Sequence, residues 1–184
     1  MELRVRRDAM RSEILWFHSF SQSIVRMYCR PMHRFFASWF GSGLILRRIT
    51  GSDAGSGTVG AAVALAASLA LGRVGWQAQA AAAVFVTALA VWSSSPYAGD
   101  HDQGGDPGWV VVDEAAGTFL ATIGLVGLPA FVAWGVFRLA DIFKRAFPGV
   151  AVAEGLPGGI GITADDLVAG VYGLAAGWIV AMLL

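Results

Sequence analysis

Cysteine is almost missing. Cys29 stands alone, which excludes an internal disulfide framework and any Cys-x-x-Cys metal site. Charge is scarce as well: 14% of the residues are Asp, Glu, Lys or Arg, against about 25% in soluble domains. Such a chain cannot cover an aqueous surface in the ordinary way. Neither sign prevails, with 13 bases against 13 acids, so nucleic acid is not an expected partner. No Gly-x-Ser-x-Gly elbow and no Cys–His pairing offers a covalent nucleophile. What the 184 residues do have is apolar character, 56% hydrophobic with a mean hydropathy of +0.62. Those values exclude intrinsic disorder and point to one all-α, compact helical membrane protein.

The balanced charge conceals a division along the chain. Nine of the bases, Arg4, Arg6, Arg7, Arg11, Arg26, Arg30, Arg34, Arg47 and Arg48, precede residue 49, while nine of the acids lie between Asp100 and Asp166. The basic opening is also aromatic, with Trp16, Phe17, Phe20, Tyr28, Phe35, Phe36, Trp39 and Phe40. Residues 1–37 therefore read as an amphipathic arm at a membrane surface, or as a helix covering the body's own apolar side. Residues 38–184 form the helical membrane domain. No cleavable signal peptide is expected.

Four to five short hydrophobic helices follow a Gly/Ser loop: 58–72, 74–97, a run from Glu114 to Arg138 broken at Gly127-Leu128-Pro129, and 167–184. A spanning helix needs about 20 residues, so several are only just long enough. If successive helices alternate in direction, Thr58, the Asp106–Glu114 segment, Arg138–Arg145 and Asp165–Asp166 all fall at one face. Every base except Arg73 falls there too, and the positive-inside rule makes that face cytoplasmic.

The acids at that face carry the chemistry. Asp113 and Glu114, like Asp165 and Asp166, stand at helix starts, where carboxylates gain roughly 0.3–1 kcal/mol from the helix dipole. That explains one pair. Two pairs together with Asp106 and Asp141 would repel strongly beside lipid without a cation, and all-oxygen ligands suit Mg2+ better than zinc. Arg138, Asp141 and Lys144 recur every third residue and form a continuous stripe on one helix. They are either an ion-pair ladder, or a phosphate clamp of Arg138 and Lys144 with Asp141 among the metal ligands. Gly55-Ser56-Gly57-Thr58-Val59-Gly60 matches Gly-x-Gly-x-x-Gly, yet no strand precedes it. It reads as a phosphate-binding helix start at Gly57 and Thr58, or as a plain turn and cap. Gly158-Gly159-Ile160-Gly161 reads as a place of close backbone approach. His18 and His33 read as surface residues, His101 as a weaker proton-transfer candidate in a loop, and Cys29 as inert or as a site of lipidation.

These segments, in this order, resemble the phosphatidylglycerophosphatase A family, small magnesium-dependent lipid phosphatases of bacterial inner membranes. The resemblance covers roughly residues 38–178. It rests on Phe40-Gly41-Ser42-Gly43-Leu44, Gly57-Thr58-Val59-Gly60, Asp106-Pro107-Gly108-Trp109-Val110-Val111-Val112-Asp113-Glu114, Phe137-Arg138-Leu139-Ala140-Asp141-Ile142-Phe143-Lys144 and the run from Gly158 through Asp165-Asp166 to Val171. It implies hydrolysis of phosphatidylglycerophosphate to phosphatidylglycerol and phosphate, at a multi-pass site facing the cytoplasm. By the same resemblance Asp106, Asp113, Glu114, Asp141, Asp165 and Asp166 hold metal. Asp113, Glu114, Asp166, Arg138 and Lys144 are then the catalytic candidates, with Arg138 and Lys144 facing phosphate beside the helix start at Gly57 and Thr58 read above. The chain departs from the family pattern in three places. Ser56 replaces a proline, Arg145-Ala146-Phe147-Pro148 and an apolar stretch ending at Glu154 replace a proline- and arginine-rich segment, and the arginine-rich opening lies outside the shared region. A phosphatase acting on another lipid phosphate, and a cation transporter using the same acids, are the competing readings; transport requires charge within the membrane depth.

Overall fold

The structure, a computed structural model, describes residues 31–98 and 107–184. The chain forms two units, Met1–His33 and Arg34–Leu184. Most of the expected amphipathic arm, with His18 and Cys29, lies outside the described residues, as do His101 and Asp106; residues 31–37 are helical.

Among the described residues there is no strand, and five helices of ten or more residues carry the fold: α1 (Ser56–Gly72), α2 (Trp76–Ser94), α3 (Val112–Ala121), α4 (Gly127–Ile142) and α5 (Gly158–Leu183). The all-α expectation holds, and so does the break at Gly127-Leu128-Pro129. There α3 stops, Gly124 and Gly127 adopt positive φ, and α4 begins with Pro129 in its first turn. A proline in that position gives up an N–H that would have had no intrahelical partner.

The last helix differs from expectation. It begins at Gly158, nine residues before the expected start at 167, because its glycines serve packing rather than a turn. A Cβ on Gly159 would meet Val91 O at 2.3 Å, and one on Gly161 would meet Leu156 O at 1.9 Å. Only bare backbone lets α5 lie against α2 and the preceding loop, and that contact outweighs glycine's helix penalty of about 1 kcal/mol. As a result Asp165 and Asp166 sit two turns inside α5, not at its start, beyond the first turn where the helix dipole acts.

At 1.5 Å per residue α5 is about 39 Å long, and its uncharged part from Leu167 to Leu183 covers about 26 Å, close to the ~30 Å of a bilayer's hydrocarbon core. α5, and α2 with the 3-10 turn that extends it to Tyr97, are long and apolar enough to cross a membrane. Val84 and Phe85 of α2, Phe131 of α4 and Ile179 of α5 are exposed, an exterior suited to acyl chains. By contrast α3 covers only about 15 Å and cannot cross on its own.

α5 packs against α3 and α4, and α2 packs against both α3 and α5. Phe137 is fully buried among Ala61, Ala121, Ala140 and Ala169; Phe119 and Val112 of α3 pack with Trp39, Val86 and Ala90. The helix ends away from the acids are tied by polar side chains. Gln79 donates to Ser68 O at 3.1 Å and Leu125 O at 3.2 Å, and accepts from Gly124 N at 2.9 Å. Ser68 and Thr122 hydroxyls lie 2.7 Å apart. This network satisfies the backbone of the tight α3–α4 turn, where an unpaired buried group would cost about 1–3 kcal/mol. It therefore holds the register of α3, and α3 carries the first pair of acids.

Candidate active site

Asp113 and Glu114 occupy the first turn of α3, where Gly43 and Gly60 press on the backbone and side chain of Trp109 and Val111 just ahead of it. Opposite them is Asp166 of α5. One carboxylate oxygen from each of Asp113, Glu114 and Asp166 lies within 4.8 Å of the others. Asp113 is 8% exposed and Asp166 3%. Two ionised carboxylates at that separation repel by about 3 kcal/mol at an effective dielectric of about 20. The dipole gain of 0.3–1 kcal/mol at a helix start does not offset this, so helix-start charge alone does not account for the cluster.

The cations are arranged around these acids. Arg138, buried in α4, places Nη1 2.7 Å from Asp141 Oδ2 and 4.0 Å from Glu114 Oε1. Lys144 lies outside α4, which ends at Ile142, in a 3-10 turn over Lys144–Ala146. The stripe expected to continue from Arg138 through Asp141 to Lys144 is therefore broken. The carbonyl-bonded helix stops two residues short, and Lys144 turns to Asp165 at 2.5 Å and Glu154 at 3.0 Å instead of to Asp141. Asp141 is drawn to Arg138 and Asp165 to Lys144, leaving Asp113, Glu114 and Asp166 as the tight group. Gly57, in the first turn of α1, comes so near that a Cβ there would meet Glu114 Oε1 at 2.1 Å and Arg138 Nη2 at 3.1 Å. The Thr58 side chain is exposed one residue further along. Glu154, the second partner of Lys144, was not a sequence candidate: ten residues separate the pair and no helical period joins them.

The donor set fits a hard divalent cation. Asp113 Oδ1, Glu114 Oε2, Asp165 Oδ1 and Asp166 Oδ1 are all buried without a hydrogen-bond partner, and an ion among them would supply one. All are oxygens, the donors magnesium and calcium take.

Burial pushes the Asp113 carboxyl well above its ordinary value of 3.8, and the charges of Glu114 and Asp166 push it the same way. Burial also raises Glu114, outweighing the lowering by its hydrogen bond with Asp113 and the charge of Arg138. For Lys144 burial pulls downward, but the hydrogen bond and charge of Asp165, with Glu154 adding, hold it above the usual lysine range. The sign of the pH effect follows from Asp113. Between 3.8 and its elevated value, the folded protein keeps a proton that the unfolded chain has lost, so stability falls as pH rises. Cation-free protein is expected to lose melting temperature as pH rises from about 4 toward neutrality. An excess of divalent cation is expected to flatten that slope by favouring the ionised acids. Thermal unfolding across that pH range with and without the cation is the measurement, and a cation-free melting temperature that rises with pH would contradict the buried-acid account.

A family model described as phosphatidylglycerophosphatase A matches residues 35–181. A protein of Bacteroides thetaiotaomicron named "Putative phosphatidylinositol-3-phosphatase" is 34% identical over 101 residues, which is 50% of this chain and 59% of that protein. The chain thus spans less than two thirds of that relative's length. No solved structure matches.

Proposed function

The chain belongs to the phosphatidylglycerophosphatase A family, and from that premise we propose that it removes the terminal phosphate of phosphatidylglycerophosphate, leaving phosphatidylglycerol. The observation that carries the reading is the meeting of Asp113, Glu114 and Asp166 within 4.8 Å, beside a buried arginine, at one end of a lipid-facing helix bundle. The setting is a multi-pass protein of a bacterial inner membrane, with the acids on the cytoplasmic side. Acyl chains lie along the apolar exterior while the headgroup phosphate reaches the helix ends.

Asp113, Glu114 and Asp166 would hold the metal, with Asp141 and Asp165 completing the acidic surround. Mg2+ held by these residues would supply neutralisation of phosphate charge. Arg138 presents its planar fork to phosphate oxygens, a role in which Arg outperforms Lys. Lys144 adds a second positive charge from the Asp165 side. The free N–H groups of the first turn of α1, at Gly57 and Thr58, face the same phosphate. One of Asp113, Glu114 and Asp166 orients the attacking water and takes its proton. The glycerol oxygen departs as phosphate is released.

A second substrate reading is favoured by the relative's name, which pairs the same bond type with an inositol lipid: the scissile bond is then a phosphomonoester on another lipid headgroup. A transporter is disfavoured by the placement of the acids. They crowd one end of the bundle, whereas α5 has no charge from Leu167 to Leu183.

Phosphate release from phosphatidylglycerophosphate by the protein in detergent, with and without EDTA, tests the reading. Chelation is expected to reduce release at least about a hundredfold, and added Mg2+ to restore it. Release that is indifferent to chelator overturns the metal-assisted scheme, and release from phosphatidylinositol 3-phosphate alone selects the second reading.

A further inference from the structure

Beside the acids, and outside the group formed by Asp113, Glu114 and Asp166, lies a cavity of about 680 Å³ lined by Ala151, Glu154, Leu156, Gly158, Ile162 and Asp165, among others. Its size suits a small-molecule subsite. It adjoins the cluster through one residue: Asp165 lines it, and Asp166, next in sequence, belongs to the cluster. Asp165 is 4% exposed and its Oδ1 is buried without a partner, while its Oδ2 is held by Lys144. Glu154 gives Oε1 to the same lysine.

Among the described residues, the two charged ones lining this cavity are acids, and Lys144 beside them is engaged by both. Such a wall repels a further anion and accepts hydrogen bonds. What fits it is a neutral group rich in hydroxyl donors.

We propose that this cavity is the subsite for the hydroxylated alcohol part of the phosphate ester, and that Glu154 determines specificity by accepting hydrogen bonds from those hydroxyls. The inference rests on the phosphatase reading and deepens it. The ester phosphate sits at Asp113, Glu114 and Asp166, and its alcohol extends past Asp165 toward Glu154. That alcohol is a glycerol or an inositol ring. Glu154 ends one of the stretches in which this sequence departs from the family pattern, so that departure falls on the part of the site that reads the alcohol.

The test compares full-length wild type, Glu154→Gln and Ala151→Leu on three lipids in detergent. Phosphatidylglycerophosphate and phosphatidylinositol 3-phosphate carry a hydroxylated alcohol at the scissile phosphate; phosphatidic acid does not. Glu154→Gln is expected to raise KM about tenfold on whichever of the first two is the substrate, as losing a hydrogen bond to a charged group does. Its kcat is expected to stay within about twofold, and its kinetics on phosphatidic acid to be unchanged. Ala151→Leu, which fills the cavity without touching charge, is expected to give the same selective rise.

A second readout is direct binding of phosphatidylglycerol, which has the alcohol but no phosphomonoester; Glu154→Gln is expected to weaken it about tenfold. Equal losses on all three lipids, which would mean that Glu154 acts only by holding Lys144, overturn the inference. So does an unchanged KM. If wild type releases phosphate from none of the lipids, the phosphatase reading falls while phosphatidylglycerol binding still decides the cavity: wild-type binding weakened by both variants supports it, and equal or absent binding overturns it.

Discussion

Asp113→Asn is expected to lose at least about a thousandfold in phosphate release while the purified, metal-free protein melts at a higher temperature than wild type. The two effects share one cause. Asp113 is buried, and desolvation together with Glu114 and Asp166 disfavours its ionised form. Asparagine keeps the shape and removes the repulsion, so the fold gains what the chemistry loses. The variant also gives up a proposed metal ligand and proton acceptor, and general-base removal alone costs about 10²–10⁴ in rate. Wild-type protein is expected to gain stability with Mg2+, by about 2.7 kcal/mol at a hundred times the dissociation constant. The variant is expected to show little of that gain. Turnover within tenfold of wild type, or an undiminished Mg2+ shift, would remove Asp113 from the site.

Arg138→Ala is expected to damage both stability and rate. The arginine is 9% exposed and stands between Asp141 at 2.7 Å and Glu114 at 4.0 Å. Removing it leaves two carboxylates near one another in a desolvated place, and breaking a buried pair in this way costs about 3–5 kcal/mol. Turnover per folded molecule is expected to fall a further 10²–10³-fold, about the loss seen when one charge-stabilising donor is taken from a reacting oxygen. Arg138→Lys separates the two contributions. It keeps the charge and so recovers much of the melting temperature, but it lacks the planar fork and recovers little of the rate. Thermal unfolding beside steady-state assays on both variants checks this; full turnover in Arg138→Lys would show that the fork is not used.

Much of this was legible because a chain with so little charge has few ways to arrange it. Long apolar runs can only be helices in such a protein, and the break at Gly127-Leu128-Pro129 carries its own chemistry. The pairs Asp113-Glu114 and Asp165-Asp166 stood out as charge where none is otherwise tolerated. What stayed hidden depends on tertiary contact. Gly158-Gly159-Ile160-Gly161 reads as a place of close backbone approach, and Val91 and Leu156 bear that out, but no local pattern shows that the approach is made from inside a helix. The three-residue spacing from Arg138 to Lys144 presumed a helix that stops at Ile142, so the partners of Lys144, Glu154 above all, were out of reach of any periodicity. The polar ties of Gln79 to Ser68 and Leu125 join residues far apart in sequence and leave no local pattern.

The bundle is lopsided: apart from Arg73, the charged residues described between Gly55 and the C-terminus gather at one end, and the opposite end is closed by neutral side chains. If the chain acts as proposed, a catalyst built this way would serve only one leaflet. It would take lipid from that monolayer and return the product to it, so any supply to the other half of the bilayer would depend on a separate means of carrying headgroups across.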